Sequence, residues 1–273
     1  MKRGIVTCSL EASLLDVERL LTEQRISRVV VVDSGRSPIG IISEKDVARF
    51  ALTDKTMRGF EDVHAKEAMN CGVFNIKSDV PMAKAAQVMI RMKTSSLMVK
   101  DHETEGIVTK TDMANYLDVE GGGLYSVDRF MTPDPITVNP TQSIFSTIQL
   151  MSQNAISRII VVDDDKKLQG VVTLTDFTQT SAYSLINLSK RLLITENETP
   201  AKFLKRAEGS LDVKVKDYMT QHPLTLSHDS DLANAAGLMV KHDISGLPVT
   251  DDHANLVGVI SKTDITRAAA CEA

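Results

Sequence analysis

The chain has 273 residues, of which 42% are hydrophobic and 25% charged, the composition of an ordinary globular protein with room for roughly two domains. A net charge of −5 without any Lys/Arg block argues against nucleic acid as the main partner. No apolar run approaches the ~18 residues that a membrane helix needs, so we expect no membrane partner. Trp is missing and aromatic residues make up 4% of the chain, which predicts an aliphatic core.

The first 56 residues predict the order strand, helix, strand, strand, helix. A strand begins near residue 5, and an amphipathic helix follows over 13–21, where apolar residues recur at helical spacing. The β-branched run at 28–33 suits a strand that is covered on both faces. After a turn, 39–42 predicts a second strand, and a helix starts at Ser43.

The same order of elements returns three more times along the chain. We predict repeats at 1–56, 65–119, 124–182 and 212–273, with three glycines at 121–123 dividing the chain into halves. An insertion at 183–211 mixes leucines with lysines and arginines, which is typical of amphipathic helices. A linker helix packed on its own module is the favoured interpretation, and a docking arm for a partner is the alternative.

One short motif marks each repeat. A glycine opens an apolar run, a hydroxyl residue lies three positions later, and an aspartate lies three positions beyond it. The hydroxyl residues are Ser43, Thr109, Thr173 and Ser261, and the aspartates are Asp46, Asp112, Asp176 and Asp264. A hydroxyl at a helix N-terminus suits a phosphate, and an aspartate one turn later can accept both hydroxyls of a ribose. The same spacing is also a capping box, which needs no ligand.

Three cysteines, Cys8, Cys71 and Cys271, stand too far apart for a disulfide framework or a zinc site. We therefore expect a reducing, cytoplasmic location. The six histidines form no metal-spaced cluster, and no arrangement suggests a catalytic group. The sequence predicts neither a metal site nor a catalytic cofactor.

At this point the chain resembles the cystathionine β-synthase (CBS) domain family. The four motifs carry the resemblance, together with the preceding strands at 26–33, 156–163 and 244–251 and the Met-Thr openings at 130–135 and 218–223. The resemblance implies an α/β (α+β) fold of four tandem β-α-β-β-α repeats. These would pair into two Bateman modules and form a flat disc, as in the gamma subunit of AMP-activated protein kinase.

The resemblance also implies roles for individual residues. The motif hydroxyl would face phosphate, the aspartate would face ribose, and an arginine at the start of the preceding strand would contact phosphate. Arg28 and Arg158 hold that strand position in repeats 1 and 3, where repeats 2 and 4 have Ser96 and Gly246. We therefore rank repeats 1 and 3 above the other two, with a surface arginine as the alternative.

The residues around the Met-Thr openings would recognise adenine across the paired repeat: Thr132, Ile136, Thr220 and Leu224. Repeat 1 has no Met-Thr and few residues before Ile5, which argues against a pocket that needs its opening segment. Three lysines lie inside the motifs and could add charge near a phosphate, although a solvated helix start is the favoured interpretation. They are Lys45, Lys110 and Lys262.

The resemblance thus implies a regulatory protein that binds AMP, ADP or ATP and acts as an energy or metabolite sensor. It would act through a separate regulated protein or through self-association as a homodimer. Two alternatives remain open: a scaffold that has lost its ligand, and a binder of another adenosyl ligand such as S-adenosylmethionine or a cyclic dinucleotide. We expect no enzymatic activity.

Overall fold

A computed structural model describes residues 2–54, 58–101, 105–176 and 213–271. The predicted insertion at 183–211 and the end of repeat 3 lie outside the described residues. Within them, each repeat contains the predicted strand, helix and β-hairpin, and a helix follows the hairpin in repeats 1, 2 and 4.

The elements of the first half follow the predicted order. In repeat 1 they are β1 (Lys2–Arg3), β2 (Thr7–Ser9), α1 (Leu14–Glu23), β3 (Arg28–Val32), β4 (Pro38–Ser43) and α2 (Glu44–Thr53). In repeat 2 they are α3 (Ala65–Ala68), β5 (Asn70–Cys71), β6 (Asn75–Ile76), α4 (Met82–Arg91), β7 (Ser96–Lys100), β8 (Glu105–Thr109) and α5 (Lys110–Glu120).

The second half repeats the pattern. In repeat 3 the elements are β9 (Thr132–Pro133), β10 (Thr137–Val138), α6 (Ile144–Gln153), β11 (Arg158–Val162) and β12 (Leu168–Thr173). In repeat 4 they are β13 (Thr220–Gln221), β14 (Leu226–Ser227), α7 (Leu232–Lys241), β15 (Gly246–Thr250), β16 (Leu256–Ser261) and α8 (Lys262–Ala270).

Each repeat supplies three strands of one sheet and receives the fourth from its neighbour in sequence. The strand orders are β2-β3-β4-β5, β1-β8-β7-β6, β10-β11-β12-β13 and β14-β15-β16-β9. The first two strands of each repeat are parallel, the hairpin is antiparallel, and the received strand pairs antiparallel with the hairpin's second strand. Repeats 1 and 2 therefore exchange opening strands, and so do repeats 3 and 4.

The motif glycine makes room for this exchange. A Cβ at Gly170 would lie 2.7 Å from the Met219 sulfur and 2.8 Å from the Thr220 carbonyl oxygen. Gly40 faces Met69 in the same way, and Gly258 faces Met131. Real Cβ atoms do not approach that closely, so the close backbone contact requires glycine at these positions.

Helix packing divides the chain into two compact units. One unit contains residues 6–72 and 136–222 and so combines repeats 1 and 3; Ala48 of α2 packs into the core of repeat 3 with Ile144 and Phe145. The other unit contains residues 1–5, 73–135 and 223–273 and combines repeats 2 and 4. In it, Leu117 of α5 lies in the core of repeat 4 and is fully buried. Full burial of a leucine, isoleucine or phenylalanine side chain stabilises the fold by roughly 1.5–3 kcal/mol.

Candidate functional site

The motif aspartate folds back onto the residue three positions earlier in all four repeats, and in repeats 1, 2 and 4 it thereby caps the helix that follows. One oxygen, Oδ2, accepts hydrogen bonds from the backbone amide and from the hydroxyl of the residue three positions earlier. The amide–Oδ2 distances are 2.9 Å at Asp46, 2.8 Å at Asp112, 2.6 Å at Asp176 and 2.8 Å at Asp264. The hydroxyl–Oδ2 distances are 2.5, 2.9, 2.9 and 2.6 Å in the same order. The capping box that the spacing predicts is therefore formed in repeats 1, 2 and 4, and Asp176 of repeat 3 accepts the same two hydrogen bonds.

The other carboxylate oxygen, Oδ1, has an arginine beside it in repeats 1 and 4. Arg49 Nη1 lies 3.3 Å from Asp46 Oδ1, and Arg267 forms an ion pair with Asp264. Both arginines stand one helical turn after the aspartate, at the i,i+3 spacing of helix-surface ion pairs. Sequence reasoning missed them, although the Asp-x-x-Arg spacing was a usable signal.

The strand-start arginines lie directly across the hairpin from the motif hydroxyls. The strand register pairs Arg28 with Ser43 and Arg158 with Thr173. Burial of the Arg158 guanidinium lowers its pKa to about 10, and the nearby Asp176 carboxylate acts in the opposite direction. The group stays protonated at neutral pH, so a positive charge is held beside the repeat 3 motif. Part of the Arg158 surface is still exposed.

Repeats 2 and 4 have a different source of positive charge. Lys110 donates from Nζ to Thr263 Oγ1 at 2.9 Å, and Lys262 donates to Thr111 Oγ1 at 3.1 Å. Lys262 is 9% exposed. The prediction of solvated helix-start lysines is therefore wrong for Lys262, because its ammonium packs against the helix of another repeat.

Two of the four residues predicted to recognise adenine lie on exchanged strands, next to a motif of the paired repeat. Thr220 pairs with Val171 at the edge of the repeat 3 hairpin, and Thr132 pairs with Val259 in repeat 4. Ile136 and Leu224 are 37% and 43% exposed. Each of these two falls in a different compact unit from its Met-Thr threonine, so neither unit alone contains the full predicted set.

The start of the chain corrects one expectation. The sequence argued against a pocket that needs an opening segment from repeat 1. The structure shows such a segment, because β1 pairs antiparallel with β8, Lys2 opposite Ile107 and Arg3 opposite Gly106. The sheet of repeat 2 thus receives an opening strand as the other three sheets do.

An open cleft of about 200 Å³ lies beside the repeat 1 motif. Asp46, Arg49 and Phe50 line it from α2, and Glu67 and Ala68 line it from α3. Arg58 donates to both carboxylate oxygens of Glu67, at 3.1 and 2.6 Å. This bidentate pair fixes α3 at the edge of the cleft.

Other chemistry finds no support in the part of the chain that the structure describes. No group of three or more His, Cys, Asp or Glu side chains there could hold a metal ion. Cys8 is buried, which raises its pKa to about 11, while Cys71 and Cys271 are exposed thiols. No helix among the described residues is both long and apolar enough to cross a membrane.

Comparison with known proteins decides the family. The model of the CBS domain family matches residues 1–53, 65–119, 127–182 and 215–270. The chain belongs to the CBS domain family. The fold class inferred from the four motifs is confirmed, since the hairpins, helices and exchanged strands are those of four CBS repeats.

Several CBS proteins are similar to this chain. MJ1426 of Methanocaldococcus jannaschii is 31% identical over 147 residues, covering 49% of this chain and 85% of that protein. MJ1225 of the same organism is 21% identical over 279 residues, covering 97% and 95%. Its crystal structure, described as that of a candidate archaeal homologue of γ-AMPK, gives a TM-score of 0.75 over 98% of this chain and 97% of that one. CBSX2 of Arabidopsis thaliana has been crystallised with AMP; it is 26% identical, covers 53% of this chain and 96% of that one, and has a TM-score of 0.41.

Proposed function

We propose that the protein is a regulatory CBS protein that binds adenine nucleotides, AMP, ADP or ATP, and reports on them to a separate partner protein. It has no catalytic role in this proposal. Sensing requires that the nucleotide bind two states of the protein with different affinity, so the output is a change of shape or of partner affinity.

The observation that carries the proposal is the set of groups around Thr173. Arg158 lies across the hairpin from it and keeps a positive charge there. Asp176 holds a carboxylate beside the Thr173 amide and hydroxyl, and Thr220 borders the same hairpin from the paired repeat. These groups match the parts of a nucleoside phosphate: a fork of donors for phosphate, acceptors for the ribose diol, and a backbone edge for the base.

Capping and ribose binding are compatible at the aspartate. The cap bonds of Asp176 end on Oδ2. A carboxylate has about four lone-pair positions, so it can accept further hydrogen bonds from ribose hydroxyls while the cap stays intact. An amide at this position would retain an acceptor oxygen for the cap but would present donors on its other side.

Isothermal titration with AMP, ADP and ATP tests the proposal, using Asp176→Asn and Asp46→Asn. Each variant keeps a cap acceptor and should weaken nucleotide binding about ten- to a hundredfold at its own repeat, the usual effect of losing hydrogen bonds to a charged group. Asp165→Asn is the matched control, because Asp165 is an exposed turn residue. S-adenosylmethionine and a cyclic dinucleotide test the other adenosyl ligands.

A scaffold without ligand is the second candidate, and one observation favours it. Three of the aspartates are engaged in helix caps and Asp176 accepts the same two hydrogen bonds, which accounts for the motif without any nucleotide. If the unmodified protein binds none of these adenosyl compounds at millimolar concentration, the scaffold is the better description and the sensor proposal fails.

A further inference from the structure

In three of the four repeats, a segment of the paired repeat covers the start of the first helix. That segment lies just before the exchanged strand and meets the N-cap residue of the helix in an isolated β-bridge. The bridged pairs are Ser13 with His64, Ser143 with Lys214, and Asp231 with Ser126. We call the covering segments, residues 63–66, 213–216 and 125–128, the helix-start covers.

Three backbone hydrogen bonds hold each helix-start cover in place. In repeat 3, the Ile144 amide donates to the Val213 carbonyl at 3.1 Å. The Val215 amide donates to the Gln142 carbonyl at 2.9 Å, and the next amide of the cover donates to the Pro140 carbonyl at 3.0 Å. The corresponding distances are 2.7, 2.8 and 3.2 Å in repeat 1 and 2.8, 2.9 and 2.8 Å in repeat 4. Main-chain bonds of this kind are also what attaches an added strand to the edge of a sheet.

One side chain of each helix-start cover enters the core of the repeat that it covers. These side chains are fully buried: Ala65, Val127 and Val215. The helix residues that follow the N-caps are buried as well: Leu14, Ile144 and Leu232. The three covers also share a sequence pattern, which is an apolar residue, a polar residue, a valine or alanine, and then two charged residues from 66, 128 and 216 onward.

The first helix of repeat 2, α4, has no such cover among the described residues. Its N-cap is Pro81, and the residue after it, Met82, is only half-buried. In the part of the chain that the structure describes, no hydrogen bond reaches the Met82 amide or the carbonyls of Val80 and Ser78. These are the three backbone groups that hold the cover in the other repeats, so the start of α4 can accept one more segment.

The strand register explains why repeat 2 differs. Thr220 lies six positions after the bridged Lys214 and pairs with the residue after a motif glycine. Lys2 of β1 pairs with the residue after the motif glycine of β8, so it holds the place of Thr220. Counting back six positions from Lys2 passes Met1, so none of the described residues is the counterpart of Lys214. A segment placed there would continue the line of β1 and extend an existing strand pairing.

We propose that the start of α4 is a docking surface for an extended segment of another protein, and that this segment has the sequence pattern of the helix-start covers. A second copy of this chain is the less suitable occupant, because its own three covers are already bound within it. The inference goes beyond the proposed function, since it rests on backbone geometry and needs no nucleotide.

A fluorescently labelled, capped peptide of residues 213–219 is the probe, and fluorescence anisotropy measures its binding to the full chain. The peptide should bind saturably at one site per chain. In a second form of the protein, residues 213–218 are copied directly before Met1, where they form an in-chain cover for α4. That form should lose peptide binding. A matched form whose copied segment carries Val215→Asp should bind the peptide as the unmodified protein does.

The Met82 amide gives a second test at the surface itself. Met82→Pro removes this donor, and proline suits the position because Pro81 is extended, with ψ of 148°, and because a first helical residue tolerates proline. Met82→Ala loses the same side chain and keeps the amide. The peptide should bind Met82→Pro about three- to tenfold more weakly than Met82→Ala, the effect of one hydrogen bond. Urea unfolding shows that both variants are folded.

Loss of peptide binding in the covered form, together with the difference between the two Met82 variants, is the supporting result. A peptide that does not bind, or that binds equally with and without the copied cover, overturns the inference. A dimer that sedimentation detects and the copied cover dissociates would make a second copy the occupant and overturn the assignment to another protein. None of these measurements uses a nucleotide, so the proposed function is tested separately.

Discussion

At the residue scale, the motif aspartates use one oxygen for the fold, and the proposed nucleotide would use the other. Each cap uses a single oxygen, and what lies beside the other oxygen differs between repeats: Arg49 at Asp46, Arg267 at Asp264. A ribose approaching these two repeats meets a carboxylate that already has an arginine partner. The four copies therefore share the two hydrogen bonds to Oδ2, and in repeats 1 and 4 an ion pair at Oδ1 would compete with a ribose.

The motif glycine is a second residue whose role is set by its neighbour across the sheet. In Gly170→Ala, the new methyl group would meet the Met219 sulfur and, less avoidably, the backbone carbonyl of Thr220. We expect a loss of about 1–3 kcal/mol in the free energy of unfolding, as for other overpacked sites. Urea denaturation measures it. Gly122→Ala is the control, because nothing lies within 4 Å of a Cβ there, and equal losses in both variants would contradict the explanation.

Among the elements, those with a strong local pattern could be predicted. The β-branched run Val29 to Val32 is a strand with three buried members, and the apolar face of α1 places Leu14, Val17 and Leu21 in the core. The pairing of Arg28 opposite Ser43 also follows from the sequence, because the length of a short hairpin determines which residues of its two strands lie opposite each other. Local period and turn length determine all of these features.

Elements that depend on distant residues could not be predicted. The two-residue strand β1 has no periodicity, and it exists because β8, about a hundred residues later, offers an edge. The lysine contacts join residues 153 and 151 positions apart, so no local pattern contains them. Of the candidate site, the caps were predictable, whereas the contacts of Lys110 and Lys262 required the packing of α5 on α8.

The contribution of α3 to the stability of the fold depends on pH through one carboxylate, that of Glu67. The Arg58 guanidinium and the His64 backbone amide both donate to Glu67 and lower its pKa from 4.5 to about 2. A lowered pKa means that the folded state binds this proton less tightly than the unfolded state does. The stabilising contribution is therefore complete above pH 4.5 and is lost as the pH falls toward 2.

Glu67→Gln should therefore reduce the free energy of unfolding at pH 6, and its difference from the unmodified protein should shrink between pH 4.5 and 2. Urea titrations at several pH values measure this difference. Glu61→Gln, an exposed position on the same segment, is the control. A difference that stays constant down to pH 2 would mean that the ion pair of Glu67 with Arg58 does not stabilise the fold.

At the scale of the whole molecule, the repeats are grouped by their cations. Helix packing joins repeats 1 and 3, which carry Arg28 and Arg158, into one unit, and joins repeats 2 and 4, which carry Lys110 and Lys262, into the other. Arginine offers a planar fork of donors for phosphate, and lysine offers a compact, strongly hydrated charge. If the proposed sites bind nucleotide, the two units would therefore offer its phosphate different donors.

This difference predicts the order in which the repeats respond to AMP. Because a bidentate guanidinium holds phosphate more firmly than a single ammonium, segments 40–46 and 170–176 should gain protection from amide hydrogen exchange at lower AMP concentration than segments 106–112 and 258–264. Mass spectrometry of peptides across an AMP titration measures the order. Adenosine is the control: it lacks phosphate, so it should remove the difference between the two units. Protection of repeats 2 and 4 at the lower concentration would contradict the ranking of the repeats by their strand-start arginines.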